Sequence, residues 1–335
     1  MQNLGNLDNQ STILDLKNDD FLTIYYNARH DQTQINYIVE IPREQDNDDN
    51  HNYNYNFRIA DINILNIIRN TNNPYILRYI RNGNGQLNIN GRQPRITPYI
   101  IYENAPRFHL FEYIRVGNLS ERKAKLIFKK ILDGVEAMHN SNICHRDIRL
   151  ENILLDENYN PKIYGFKFSC MNSNNLTQKI VSKYYTPPEV LSHKPYNGFK
   201  YDIFSLGQLL MVLVTGIFGF NKVKNTDRNY KFIIRHEYEK YWTNFERNIQ
   251  NHLNLSESFK KLFFRMVAYN PNERPLIDII LNDEWMEEIN NLNDEQMNAL
   301  ENEVKIALQN REAEIHYNLK MIMMMTLDDN NQNYL

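Results

Sequence analysis

The chain has 335 residues, 42% of them hydrophobic and 24% charged, and a net charge of -3. This is long for one compact core, and it gives no bias toward nucleic acid or anionic membranes. Two cysteines, Cys144 and Cys170, build neither a disulfide framework nor a zinc site, so a reducing compartment is expected. Residues 1–20 are polar and asparagine-rich, with no signal-peptide core, and no apolar run approaches the ~20 residues that a membrane span needs. The expectation is a soluble protein of the cytoplasm, with a protein partner and with neither nucleic acid nor membrane as a ligand.

In chain order, residues 1–14 read as a polar extension. Phe21 to Tyr26 and Ile35 to Ile41 have the apolar alternation of strands. A charged, asparagine-rich loop runs from Glu44 to Asn56. Phe57 to Arg69 carries Ile59, Ile62, Leu65 and Ile68 at helical spacing. Ile76 to Ile80, Gln86 to Ile89 and Pro98 to Glu103 return to strand character, broken by Gly83, Gly85 and Gly91. From Ser120, a candidate N-cap without the full capping box, the pattern turns helical through Leu126, Ile127, Ile131, Leu132 and Val135.

Residues 145–152 then read His-Arg-Asp-Ile-Arg-Leu-Glu-Asn, and Tyr164-Gly165-Phe166-Lys167 follows after a short apolar stretch. Asn73-Pro74-Tyr75-Ile76-Leu77, Leu110-Phe111-Glu112-Tyr113-Ile114, Pro187-Pro188-Glu189, Asp202-Ile203-Phe204-Ser205-Leu206-Gly207 and Asn270-Pro271-Asn272-Glu273-Arg274-Pro275 complete an ordered series. Together these resemble the motifs of protein kinases over roughly residues 15–290, nearest to the calmodulin-dependent serine/threonine group. The resemblance implies an α+β, bilobal fold: a small antiparallel β lobe with one main helix at 15–104, and a larger, mostly helical lobe at 105–290. A helical tail at 291–335 would follow.

Phosphoryl transfer is mostly positioning and charge neutralisation, so the resemblance implies a short set of required groups. A glycine-rich turn would fall near Lys17 to Thr23, yet Asn18, Asp20 and Thr23 stand at the glycine positions. Side chains there keep the backbone from a phosphate, and Asp19 and Asp20 repel it. The third-strand lysine aligns with Glu40 in Tyr37-Ile38-Val39-Glu40, and no lysine lies between Lys17 and Lys123 to replace it. Arg43 is the nearest base, on the opposite strand face. Asp61 aligns with the helix carboxylate that holds that lysine, so two acids would face each other. Gly165 takes the place of the magnesium-binding aspartate, and Asn152 alone is a poor anchor for a hard cation. Loss of one such electrostatic group costs ~100- to 1000-fold in rate, although losses in one unit do not multiply strictly.

Ile38, Tyr102 and Tyr164 are bulky residues expected to fill the base pocket. Tyr102 also has a plain alternative as an ordinary large residue before the hinge Glu103-Asn104-Ala105. The retained set is Asp147 and Asn152, with Arg149 where a lysine is usual; its planar fork is not equivalent to a lysine point charge. These residues either serve catalysis or brace their own loop, with His145 and Arg146 held by nearby backbone. Glu189 with Arg274, and Asp202 with the loop backbone, are expected as frame contacts. Lys167 either meets Glu40, replacing the nucleotide's charges with a pair of reversed polarity, or turns to solvent.

In the activation segment, Ser169 to Glu189, the polar stretch Asn172 to Thr177 is expected to be mobile. Ser173, Thr177 and Ser182 are candidate phosphorylation sites within reach of Arg146. In the tail, Met297, Leu300, Val304, Leu308 and Ile315 recur near helical spacing, followed by the apolar patch Met321 to Met325. The stripe suits a partner or, alternatively, the chain's own large lobe. The expected function is a pseudokinase: a binding or scaffold module with no metal or cofactor. The alternatives are a weak serine/threonine kinase using Asp147 and Asn152 with ATP and magnesium, and a structural subunit of a larger assembly such as a cytoskeletal one.

Overall fold

The computed structural model describes residues 5–8, 11–19, 23–42, 60–87, 95–171, 173–247 and 254–332. The loop at 43–59, with Arg43, therefore lies outside the described residues. So do Asp20 and Asn172.

The N-terminal half builds one antiparallel sheet from β1 (Gly5–Asp8), β2 (Ser11–Asp19), β3 (Thr23–His30), β4 (Asn36–Pro42), β5 (Tyr79–Leu87) and β6 (Arg95–Tyr102), in the order β1-β2-β3-β4-β6-β5. The edge strands β1 and β5 come into contact, so the sheet curls on itself. Two strands thus precede the first one read from the sequence. Their polar residues hide an alternation that pairing alone reveals, Ser11 to Asp19 running antiparallel to Ile24 to His30. Nor do Gly83 and Gly85 break β5. Gly83 lies opposite Tyr99, and a Cβ there would come 2.6 Å from the Tyr99 Oη, so the glycine makes room for a cross-strand ring.

Alternation sorts this sheet into two buried faces. Val39, Ile41, Tyr99 and Ile101 join Ile13, Tyr26 and Ala28 in a cluster of their own. Tyr25, Ile38, Ile100 and Tyr102 point the other way, against Ile64, Leu65 and Ile68 of α1 (Ile62–Asn70). That second core continues unbroken into the C-terminal half.

The C-terminal half is mostly helical. It comprises α2 (Leu110–Val116), α3 (Glu121–Asn140), α4 (Pro188–Leu191), α5 (Gly198–Thr215), α6 (Tyr230–Ile234), α7 (Tyr238–Glu246), α8 (Glu257–Met266), α9 (Ile277–Leu281), α10 (Glu287–Asn290) and α11 (Asp294–Gln332). Ser120 is the N-cap of α3, although its side chain makes no capping bond. Short strands β7 (Ile143–Cys144), β8 (Ile153–Leu155), β9 (Pro161–Ile163) and β10 (Cys170–Met171) pair as β7 with β10 and β8 with β9. The helix α5 is apolar on all sides and correspondingly buried, with Asp202, Ser205 and Gln208 enclosed along it.

The tail helix α11 spans 39 residues and lies on α2 and α3 of its own large lobe. Leu300, Val304, Leu308 and Ile315 are buried there. Lys130 pairs with Glu301 at 2.6 Å, and the buried Glu312 accepts from the Tyr159 hydroxyl and from Arg107 Nη1. The stripe read as a partner surface or a self-docked face is thus self-docked through Ile315. Of the Met321 to Met325 patch, only the Met321 side chain falls among the described ones, and it is half-buried.

Candidate functional site

The inward face of the sheet meets the helical half in one continuous core that includes residues of β4, β6, β8 and β9. Ile38 lies opposite Tyr102, and Glu40 opposite Ile100, so all four share the inward face. Glu40 is fully buried, and its Oε2 accepts a 2.6 Å hydrogen bond from the Tyr102 hydroxyl. Burial first, then the adjacent Glu40 carboxylate, pushes the Tyr102 phenol well above its ordinary value, so it stays a donor. Asp61 does not join them. It is the exposed N-cap of α1, its carboxylate accepting from the Asn63 N–H at 2.8 Å. The expected facing acids are therefore replaced by an acid on a phenol. The helical pattern read from Phe57 had hidden the true start, because an Asp that caps looks the same in sequence as one in the first turn.

Aromatic rings join the two halves within this core. Tyr164 is buried, with its ring edge-on to Tyr25 at 5.2 Å and its hydroxyl donating to the Glu151 carbonyl at 2.8 Å. Phe166 sits 6.4 Å from Tyr102 and 5.4 Å from His145. Ile38 is completely buried in the same core. The three bulky residues named from sequence lie in one buried core. A further tie was not legible: Lys17 Nζ on β2 donates to the Arg107 carbonyl beyond the hinge at 2.5 Å. Nothing in sequence signals a bond across that separation.

Asp147 and Asn152 are both buried, and the Asn152 amide donates to the Asp147 carboxylate and carbonyl, each at 2.8 Å. Gly165 stands beside them in the left-handed region at φ 84°, and a Cβ on it would meet Asn152 Cγ at 2.9 Å and Oδ1 at 3.0 Å. A side chain at residue 165 would therefore press on the Asn152 amide. Arg149 pairs with Glu151 at 2.8 Å. Burial works against the Arg149 charge, but the Glu151 hydrogen bond and carboxylate outweigh it and raise its pKa. Glu151 was not singled out from sequence, since a loop spacing of two carries no pairing rule. Lys167 is buried, which excludes the solvent-facing alternative; its ammonium lies 5.4 Å from the Phe168 ring centroid.

The frame contacts are as expected. Asp202, fully buried, accepts from the His145 and Arg146 backbone N–H groups at 2.8 and 2.7 Å and from the His139 ring at 2.9 Å. Arg146 donates to the Phe168 carbonyl at 2.7 Å, the Tyr196 hydroxyl at 3.2 Å and Gln178 at 3.4 Å. Ser173 and Ser182 are buried, so of the three hydroxyls proposed for phosphorylation only Thr177 is exposed.

At these positions a carboxylate stands where the resemblance places the phosphate-pairing cation, and a glycine where it places a metal carboxylate.

His145 is fully buried, and its Nε2 donates to the Tyr164 carbonyl at 3.0 Å while its Nδ1 accepts from the Asp147 N–H at 3.2 Å. Burial, opposed by the Asp202 charge, lowers its pKa below the ordinary 6.5. The unfolded chain then binds more protons between the folded pKa and 6.5, so this contribution to stability is complete above 6.5 and is lost on acidification. Melting followed from pH 7 to pH 5 is expected to show falling stability, by at most about 1.4 kcal/mol per pH unit from this one group. His145→Asn is expected to flatten that slope; an equal slope in both proteins would refute the assignment.

A family model described as protein kinase domain matches residues 23–286. The chain is 35% identical over 195 residues to the probable serine/threonine-protein kinase MARK-B of Dictyostelium discoideum, covering 56% of this chain and 26% of that protein. It is 36% identical over 191 residues to CBL-interacting protein kinase 8 of Oryza sativa subsp. japonica, covering 56% and 40%. It is 31% identical over 191 residues to serine/threonine-protein kinase SAPK1 of the same plant, covering 56% and 54%. The matched stretch thus spans 26% to 54% of these relatives' lengths.

Proposed function

This chain belongs to the protein kinase family, and we propose that within it the protein is a catalytically impaired member, a pseudokinase that binds other proteins on a kinase frame. The observation that carries this reading is the buried Glu40–Tyr102 hydrogen bond, 2.6 Å long, at the position where the phosphate-pairing lysine is expected. It puts negative charge and protein mass where a nucleotide would need a cation and space. Gly165, closely approached by the Asn152 amide, supports it. Lys167, two residues on, gives the cleft a positive charge of its own. No bound metal or nucleotide is needed on this reading; the ligand is a protein, and the setting is the cytoplasm.

A second reading has its own support. Asp147 and Asn152 are kept and mutually bonded, and Asp202 and Arg146 hold their loop in order. A weak serine/threonine kinase would use Asp147 to orient a hydroxyl.

Thermal melting with ATP, with and without magnesium, separates the two. A nucleotide site of about 10 µM affinity would add about 2.7 kcal/mol at about 1 mM ligand. The pseudokinase reading expects no such metal-dependent shift. A clear rise with magnesium, together with phosphate transfer that Asp147→Asn abolishes, would establish the kinase instead.

A further inference from the structure

The two cysteines of the chain are far apart in sequence but meet at the junction of the catalytic loop and the activation segment. Cys144 ends β7 immediately before His145, and Cys170 opens β10. They are direct partners in the two-residue antiparallel ladder. Their Sγ atoms are 3.3 Å apart, both thiols being free. The Cys144 sulfur occupies the space left by a glycine: a Cβ on Gly198, at the start of α5, would come within 2.3 Å of it. Gly198 thus lets the sulfur lie beside its partner. Cys144 is buried, whereas Cys170 is half-buried and the more accessible of the two.

We propose that Cys144 and Cys170 form a reversible intramolecular disulfide when the protein meets hydrogen peroxide, making the root of the activation segment a redox modification site. Cys170 attacks first. The hydrogen bond from Cys144 and the Arg146 charge, opposed by burial, hold its thiol down at about 7, and Cys144 is pushed up by the same bond and by burial. The Cys170 thiolate forms a bond to one peroxide oxygen, the O–O bond breaks, and the departing hydroxide takes up a proton as water. Cys144 sulfur then bonds to the sulfenic sulfur of Cys170. The S–O bond breaks, and its hydroxide leaves as water with the Cys144 proton. Two thiols and one peroxide thus give one disulfide and two waters, and an added dithiol reverses it. The product replaces a two-residue ladder by a covalent tie between the strand entering the catalytic loop and the segment leading to Glu189. The inference is independent of nucleotide binding.

The test is intact mass of the full chain under non-reducing conditions after hydrogen peroxide. The expected product is a monomer lighter by about 2 Da, with both thiols closed to alkylation and restored by dithiothreitol. Its Tm is expected to rise by about 5 °C, because the closed loop restricts the unfolded chain. In Cys144→Ser, Cys170 is expected to accumulate as a sulfenic acid trapped by dimedone; in Cys170→Ser, Cys144 is expected to react at least about 10-fold more slowly. Heavier oxygen adducts or covalent dimers as the main products, with no lighter monomer, would overturn the proposal. So would two thiols still open to alkylation at peroxide levels that oxidise free cysteine. Both outcomes are read on the native chain, so a variant that fails to fold does not hide them.

Discussion

Gly165→Asp is expected to restore the missing carboxylate in sequence while creating no magnesium-dependent nucleotide site, and to lower stability by about 2 kcal/mol. Two costs add. The residue sits at φ 84°, where a side chain costs about 1 kcal/mol, aspartate being among the more tolerant types. The new Cβ also approaches Asn152 atoms at 2.9 to 3.1 Å. Relief requires the Asn152 amide to move, which loosens its two 2.8 Å bonds to Asp147, each contributing about 1 kcal/mol. The new carboxylate would join Asp147 around one amide, while Glu40 remains fixed on Tyr102 above. Urea unfolding gives the stability change, and melting with magnesium and ATP tests the site. Gly165→Ala separates the backbone and contact costs from the charge. An aspartate variant as stable as the parent, with a magnesium-dependent rise in Tm, would show that Gly165 alone disables the cleft.

Arg274→Met is expected to cost about 4 kcal/mol, the largest single loss proposed for this molecule. Arg274 is 1% exposed, and its guanidinium meets both Glu189 oxygens, at 2.7 and 2.8 Å. Its remaining bonds go to the Lys200 carbonyl at 2.9 Å and the Ala268 carbonyl at 3.0 Å, and its Cζ lies 4.9 Å from the Phe204 ring centroid. Methionine keeps much of the volume but strands the Glu189 carboxylate and removes the donor to the Ala268 carbonyl. The penalty is therefore desolvated charge left without a counterpart. Arg274→Met combined with Glu189→Leu is expected to recover a large part of the loss, because both charges are then gone. A single-variant loss below about 1 kcal/mol in urea unfolding would show that water reaches the pair and screens it.

The large lobe was legible because its motifs occur in a fixed order and bind one another. Asp202 reaches the backbone of His145 and Arg146, Glu189 reaches Arg274, and α5 announces its burial by being apolar all round. Glu40 and Gly165 were legible as departures from the same order. The small lobe was read less well. The polar alternation of β2 becomes a strand only through β3, and Gly83 reads as a breaker until Tyr99 is seen opposite it. Asp61 was misread because helix onset is set by one capping bond. Contacts such as Lys17 with Arg107, or Glu312 with Tyr159, join residues that no local pattern connects.

The contact between β1 and β5 bears on how open the rims of the sheet are. They are the two outer strands of the sheet. An outer strand ordinarily offers a row of open amide and carbonyl groups onto which another chain can add, the first step toward fibrils. Asparagine-rich segments are prone to that stacking through side-chain ladders. The two rims come near each other without pairing into a ladder, so each limits sterically the room in which a strand from another chain could add to the other.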